Sequence, residues 1–240
     1  MYEERFYRKD FSKDWFSYEV HIKETDILVK SKARLVQERI VDLTAGYRQD
    51  IEKYIEAFPE FKTTLSSFKM QGNPCAIVKE MIEKSSALDI GPMACVAGAL
   101  AEYIGKDLLG LTDGLVVENG GDVFIKKQGR ILLGIYAGPS SRINEFLLSI
   151  ENTGPYLGIC SSSSLLGHSL SLGRADMATV VSDSSIFADG LATKLANMVH
   201  DEDDIDEALA FARRFSLTKA VSLVKGQKIG VWGGVRLVKR

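Results

Sequence analysis

Cysteine is scarce in this sequence: Cys75, Cys95 and Cys160 are the three in 240 residues. The number is odd and no C-x-x-C pair occurs. This argues against a disulfide framework and against a cysteine-built zinc site, and it fits a reducing compartment. Long apolar runs are missing too, so nothing approaches the roughly 20 residues of a membrane-spanning helix. The opening stretch, MYEERFYRKDFSKDWF, is charged and aromatic. It has none of the apolar character of a signal peptide or lipoprotein leader. A soluble cytoplasmic protein with no membrane partner is the expectation. Nor is there a surplus of positive charge. The formal net charge is −2, which leaves nothing to drive binding to a phosphate backbone, so nucleic acid is not an expected partner. A P-loop, a G-x-G-x-x-G turn and a G-x-S-x-G nucleophile elbow are all absent.

What is present is an ordinary globular composition, 45% hydrophobic, with length enough for a sizeable core. No Pro/Gly linker and no repeat divides the chain, so residues 1–240 read as a single domain. Residues 16–31 alternate as two short strands around Lys23–Asp26. The period then changes. Leu35, Ile40, Leu43, Tyr47, Ile51 and Ile55 mark a long amphipathic helix that Pro59 ends, with Arg34, Glu38, Asp42, Arg48 and Glu52 on a solvated face. Residues 73–85 predict a helix capped by Asn73, with Pro74 at its first position. MACVAGALAEYIG predicts another, rich in small residues. GLVVENGGDVFIK and RILLGIYA read as a hairpin, with a glycine bulge or close approach in its first strand. INEFLLSI and MATVVSDS are further strands. Helices follow near 187–199 and over DEDDIDEALAFARRFS, and the tail reads as two strands. Segregated strands and helices predict an α+β fold.

Polar chemistry gathers in separate patches. The first is Asp89-Ile90-Gly91-Pro92-Met93-Ala94, where Pro92 suits the first turn of a helix whose free amides form an anion site. Small residues that permit tight packing explain it equally. In Asn119-Gly120-Gly121-Asp122, glycines let backbone amides approach a ligand, and Asn119 can pair with the edge of a ring. A plain turn is the structural alternative. In the third patch Ser161, Ser162, Ser163 and Ser164 precede His168. Buried hydroxyls need partners, a phosphate being one, and a histidine can move a proton near neutral pH. A surface loop would also account for it. In Ala188-Asp189-Gly190-Leu191-Ala192-Thr193, Asp189 and Thr193 stand one helical turn apart and offer hard oxygens to Mg²⁺; local capping is the usual reason for such a pair.

Taken in order, the patches resemble the motif series of the ApbE superfamily, which includes the FAD:protein FMN transferases. That series reads approximately D-L-G-G-I-A-K-G, N-x-G-G-D, T-S-G with H-I-I-D-P, and A-D-A-L-x-T. Here stand DIGPMACV at 89–96, NGGD at 119–122, SSS at 162–164 with His168, and ADGLAT at 188–193. The chain as a whole is most similar to a smaller ApbE-like family of archaea and anaerobic bacteria. The resemblance implies a T-fold-like arrangement of antiparallel sheets with helices packed on them, internally duplicated. It implies Mg²⁺-dependent cleavage of the FAD pyrophosphate and transfer of FMN. In that transfer, the Ala94 carbonyl, Asp189 and Thr193 would hold the metal. Gly91 and Asn119–Asp122 would line the FAD or FMN pocket, Ser162–Ser164 would meet phosphates, and His168 would be the acid/base. A homodimer is expected by analogy with sheet-rich relatives. Three departures stand out: Cys95 replaces the motif lysine, His168 is followed by Ser169-Leu170-Ser171-Leu172 without the Asp-Pro, and Gly190 replaces the alanine of A-D-A-L. The alternatives carried with the resemblance are a scaffold reused in sulfur assimilation, for example toward homocysteine with Cys95 or Cys160, and a flavin-binding module without turnover.

Overall fold

The computed structural model describes residues 14–137, 141–163 and 175–240. Among these residues eleven strands and six α-helices form three layers. The central layer is an eight-stranded sheet in the order β1-β2-β3-β4-β7-β8-β9-β10. It comprises β1 (Phe16–Ile22), β2 (Thr25–Ser31), β3 (Leu115–Asn119), β4 (Asp122–Lys126), β7 (Leu157–Ser162), β8 (Met177–Ser182), β9 (Thr218–Lys225) and β10 (Lys228–Gly233). A smaller sheet has the order β11-β6-β5, from β5 (Gly129–Gly134), β6 (Phe146–Asn152) and β11 (Val235–Lys239). Every neighbouring pair is antiparallel. The predicted α+β class with antiparallel sheets is the class observed.

Alternation along the strands sets the layers. On β4, Val123 and Ile125 point to one side with Leu157 and Ile159 of β7 and Val181 of β8. There they meet Ile131, Leu148, Ile150 and Val235 of the smaller sheet. Phe124, between them in sequence, points to the opposite side and packs with Ile104 and Leu108. On that side lie α1 (Gln37–Ala57), α2 (Glu60–Thr63), α3 (Ala76–Ala87), α4 (Val96–Leu108), α5 (Ser185–Met198) and α6 (Asp204–Ala212). No single helix among the described residues is long and apolar enough to cross a membrane.

The structure departs from the sequence reading in particular places. Gly120 and Gly121 are not a bulge inside a strand but the two-residue turn joining β3 to β4. Their φ values of 68° and 101° are those a tight hairpin turn requires. β5 pairs with β6 in the second sheet and not with β4. Leu157–Ser162, read as part of a serine loop, is a central strand, and the tail carries three strands where two were expected. Helix α3 begins at Ala76, with Cys75 extended before it at ψ 166°, so neither Asn73 nor Pro74 takes the expected capping positions. Arg48, assigned to a solvated face, is nearly buried. It bonds Thr25, Glu24 and Glu52 and thereby ties α1 to the β1–β2 turn.

Candidate functional site

The predicted patches meet where α4 and α5 cross over the ends of β3, β4 and β7. Pro92–Cys95 forms a 3-10 turn that leads straight into α4, with Pro92 at its first position as expected. Helix α5 is started by Ser184, whose hydroxyl accepts from the Phe187 amide. The two helices cross at Gly98. A Cβ there would stand 2.3 Å from the Ser185 carbonyl and 2.7 Å from Cβ of Asp189. That close approach delivers the Asp189 carboxylate to the amino end of α4, where it accepts from the Gly98 amide at 2.8 Å. The Ala97 amide also reaches it. A carboxylate at a helix amino terminus satisfies free donors and meets the positive end of the helix dipole. The predicted anion site is thus filled from within the chain.

Asp122 opens β4 directly after the glycine turn, in register with Asn119. Asn119 donates from Nδ2 to the Ala97 carbonyl at 3.4 Å. Glu118 accepts from the Gly121 amide at 2.8 Å and so fixes the turn. Asp122 and Asp189 are 7% and 9% exposed. Burial, followed by the Asp189 charge, holds the Asp122 carboxyl well above the usual range. Burial pushes Asp189 up to about 7, against the opposing pull of the Gly98 and Ala97 amides. Among the described residues Asp122 Oδ1 has no hydrogen-bond partner.

The two buried cysteines border this pair. Burial first, and the two carboxylates second, push both thiols up. A thiol held protonated is a poor nucleophile, so the chemistry here favours oxygen over sulfur. Cys95 has a packing role as well. A Cβ on Gly190 would stand 2.7 Å from Cys95 Sγ. Two of the departures from the ApbE motif, Cys95 and Gly190, therefore occupy one space: the thiol fills the volume that an alanine methyl at 190 would take.

The serine run is divided by strand alternation. Ser162 shares the face of Cys160, toward α5. Ser161 points to the other side of the sheet and bonds Thr179 at 2.9 Å. Ser163 donates to the Asp176 carbonyl at 2.6 Å. Ser164 and His168 lie outside the described residues. Thr193 is half-buried on α5, one turn beyond Asp189, and Ala94 is half-buried in the 3-10 turn. Gly91 is buried, and a Cβ there would stand 1.9 Å from the Thr64 carbonyl. Chain packing alone explains that glycine. Sequence reasoning missed Glu102, one turn further along α4. It accepts from Ser184 Oγ at 2.8 Å and from the Ile186 amide at 3.1 Å, and it pairs with Lys106 at 2.7 Å. Glu102 thus holds the start of α5, and with it Asp189, against α4. The signal was a charged residue on an otherwise apolar helix face. Two surface hollows beside α1, one around Arg39–Asp50 and one around Arg48, contain none of these residues.

Comparison with known sequences now decides the family. The family described as "AbpE bacteria" matches residues 8–216. The chain belongs to this ApbE-like family. It is 39% identical over 195 residues to a UPF0280 protein of Methanothrix thermoacetophila, covering 80% of this chain and 81% of that one. It is 33% identical over 231 residues to a UPF0280 protein of Methanocaldococcus jannaschii, covering 94% of each. Among solved structures, the apo flavinyl transferase ApbE of Pseudomonas stutzeri superposes with a TM-score of 0.58 at 14% identity. That match covers 91% of this chain and 93% of that one. The ApbE protein of Thermotoga maritima gives 0.56 at 12% identity, over 90% and 96% of the two chains. The ApbE fold is therefore shared.

Proposed function

We propose that this ApbE-like protein binds a flavin nucleotide, FAD or a close relative, together with Mg²⁺, and acts at its pyrophosphate as a flavin transferase or pyrophosphate-cleaving enzyme. The observation that carries this reading is the buried pair Asp122 and Asp189 at the amino end of α4, beside the Asn119–Gly120–Gly121 turn. The residues present fit a hard divalent ion. Two carboxylates lie together, one with an unpaired buried oxygen. Among the described residues no group of three or more His, Cys, Asp or Glu forms a metal site. Mg²⁺ suits such a place because it commonly takes one or two carboxylates and completes its shell with water and substrate phosphates.

Asp189, Thr193 and the Ala94 carbonyl would hold the ion, and bound there it would neutralise charge on the phosphates. The chain's own residues do the rest. The exposed Gly120 and half-buried Gly121 offer a side-chain-free edge to a ring system, with Asn119 buried beside them. Ser162 and Ser164 would donate to phosphate oxygens, as would Ser163 on turning its hydroxyl from the Asp176 carbonyl, and His168 would carry a proton to or from the scissile bond. Gly98 and Glu102 hold α5 so that Asp189 stays at its place. The alternative of a scaffold reused in sulfur assimilation gains no support from Cys95 and Cys160, since burial keeps both thiols protonated.

The test is titration of the protein with FAD with and without Mg²⁺, with AMP release followed in the same samples. Magnesium-dependent binding with AMP release, lost in Asp189→Ala, is the expected result. Stoichiometric binding without AMP would leave a flavin-binding module. No binding in either condition would remove the flavin reading.

A further inference from the structure

We propose that Asp122 is a second carboxylate ligand of the divalent cation, so that the ion joins the start of β4 to α5. This rests on the cation reading above and extends it to a residue that the motif resemblance assigns to the flavin pocket.

Three observations carry it. The first is direction. Asp122 shares the strand face of Phe124, which packs on α4, so it points into the helix layer that also receives Asp189. Its register partner Asn119 bonds the Ala97 carbonyl, while the Ala97 and Gly98 amides serve Asp189. A single turn of α4 thus gauges the position of both acids. The second is the unmet demand. Asp122 is 7% exposed, and its Oδ1 has no partner among the described residues. An unpaired buried carboxylate oxygen is costly, and native proteins rarely keep one without a proton or an ion beside it. The Ser161 amide reaches the Asp122 carboxylate. The Cys160 thiol reaches it too, sharing its one hydrogen with the Ser185 carbonyl at 3.3 Å. The chain itself therefore leaves the carboxylate under-satisfied. The third is the pairing of like charges. The Asp189 charge acts on Asp122 in a buried space, and among the described residues no lysine, arginine or histidine acts on either carboxylate. A dication placed between them answers both charges at once.

The experiment is titration of the full chain with Mn²⁺ alone at about pH 8, with free Mn²⁺ followed by its paramagnetic resonance signal. Wild type, Asp122→Asn and Asp189→Asn are compared. Wild type is expected to bind one ion. Asp122→Asn should weaken binding by roughly tenfold to a hundredfold, the scale on which even outer-shell partners of a metal act, and Asp189→Asn at least as much. If Asp122→Asn folds poorly, Asp122→Ser is the second variant, and circular dichroism checks both. Wild-type affinity in the Asp122 variants with loss in Asp189→Asn would overturn the proposal and leave the cation reading intact. No binding by wild type, or equal binding by all variants, would overturn both.

Discussion

Removing the charge at position 189 should change how stability depends on pH. Asp189 titrates at about 7 in the folded protein, against 3.8 for the free side chain, chiefly because it is buried. Between these values the unfolded chain has released the proton while the folded chain still holds it. Folding stability therefore falls as pH rises from about 4 to about 7 and levels off above. At about 1.4 kcal/mol per pH unit the loss is about 4 kcal/mol. Asn at 189 has the same shape, keeps an oxygen for the Gly98 amide and cannot ionise. It also removes the charge that raises Asp122, so the Asp122 share of the decline shrinks too. In urea unfolding followed by circular dichroism, with chelator present, wild type should lose several kcal/mol between about pH 5 and pH 8. Asp189→Asn should lose far less and should be the more stable protein at pH 8. Parallel pH profiles for the two would refute the assignment of a buried, proton-holding carboxyl to this position.

Two predictions concern the frame around the site. Glu102→Ala leaves the Ser184 hydroxyl, the Ile186 amide and Lys106 without their shared acceptor. It should cost about 3 kcal/mol in urea unfolding, with Glu102→Gln losing clearly less. Gly190→Ala should destabilise by about 1–3 kcal/mol because its methyl meets Cys95 Sγ. Cys95→Ala should recover about 1 kcal/mol or more of that in the double variant, read from a double-mutant cycle; strict additivity would separate the two positions.

How much of this was legible in the sequence depended on periodicity and on contact distance. Helix α1 announced itself through apolar residues at helical spacing, and β1 and β2 through alternation. Strand β7 did not, because Leu157-Gly158-Ile159-Cys160 is a short apolar run ending in serines, a pattern that a loop shares. The glycine turn was misread because N-G-G-D has the composition of both a bulge and a hairpin turn, and only the register of β3 with β4 distinguishes them. Motif order brought Asn119, Asp122 and Asp189 together correctly on paper. It could not reveal that Asp189 caps α4, since that bond joins residues 91 positions apart. Nor could it show that Ser161 turns its back on its neighbour Ser162, a consequence of strand pleating that matters only once β7 is known to be a strand.

Ser185 is where the segments that hold the acids touch. Its carbonyl lies against Gly98 and accepts from Cys160, its amide and Cα lie against Gly158, and its hydroxyl donates to the Val123 carbonyl. At Gly98 and Gly158 the contact is main chain on main chain, with no side chain between to turn. Such a joint acts as a weld and not a hinge. The backbones that carry Asp122 and Asp189 are then held together by close packing, and an ion cannot push them apart at small cost. A gap of fixed width sorts ions by radius: it would accept a small cation such as Mg²⁺ and exclude the larger Ca²⁺, whose longer bonds require walls that give.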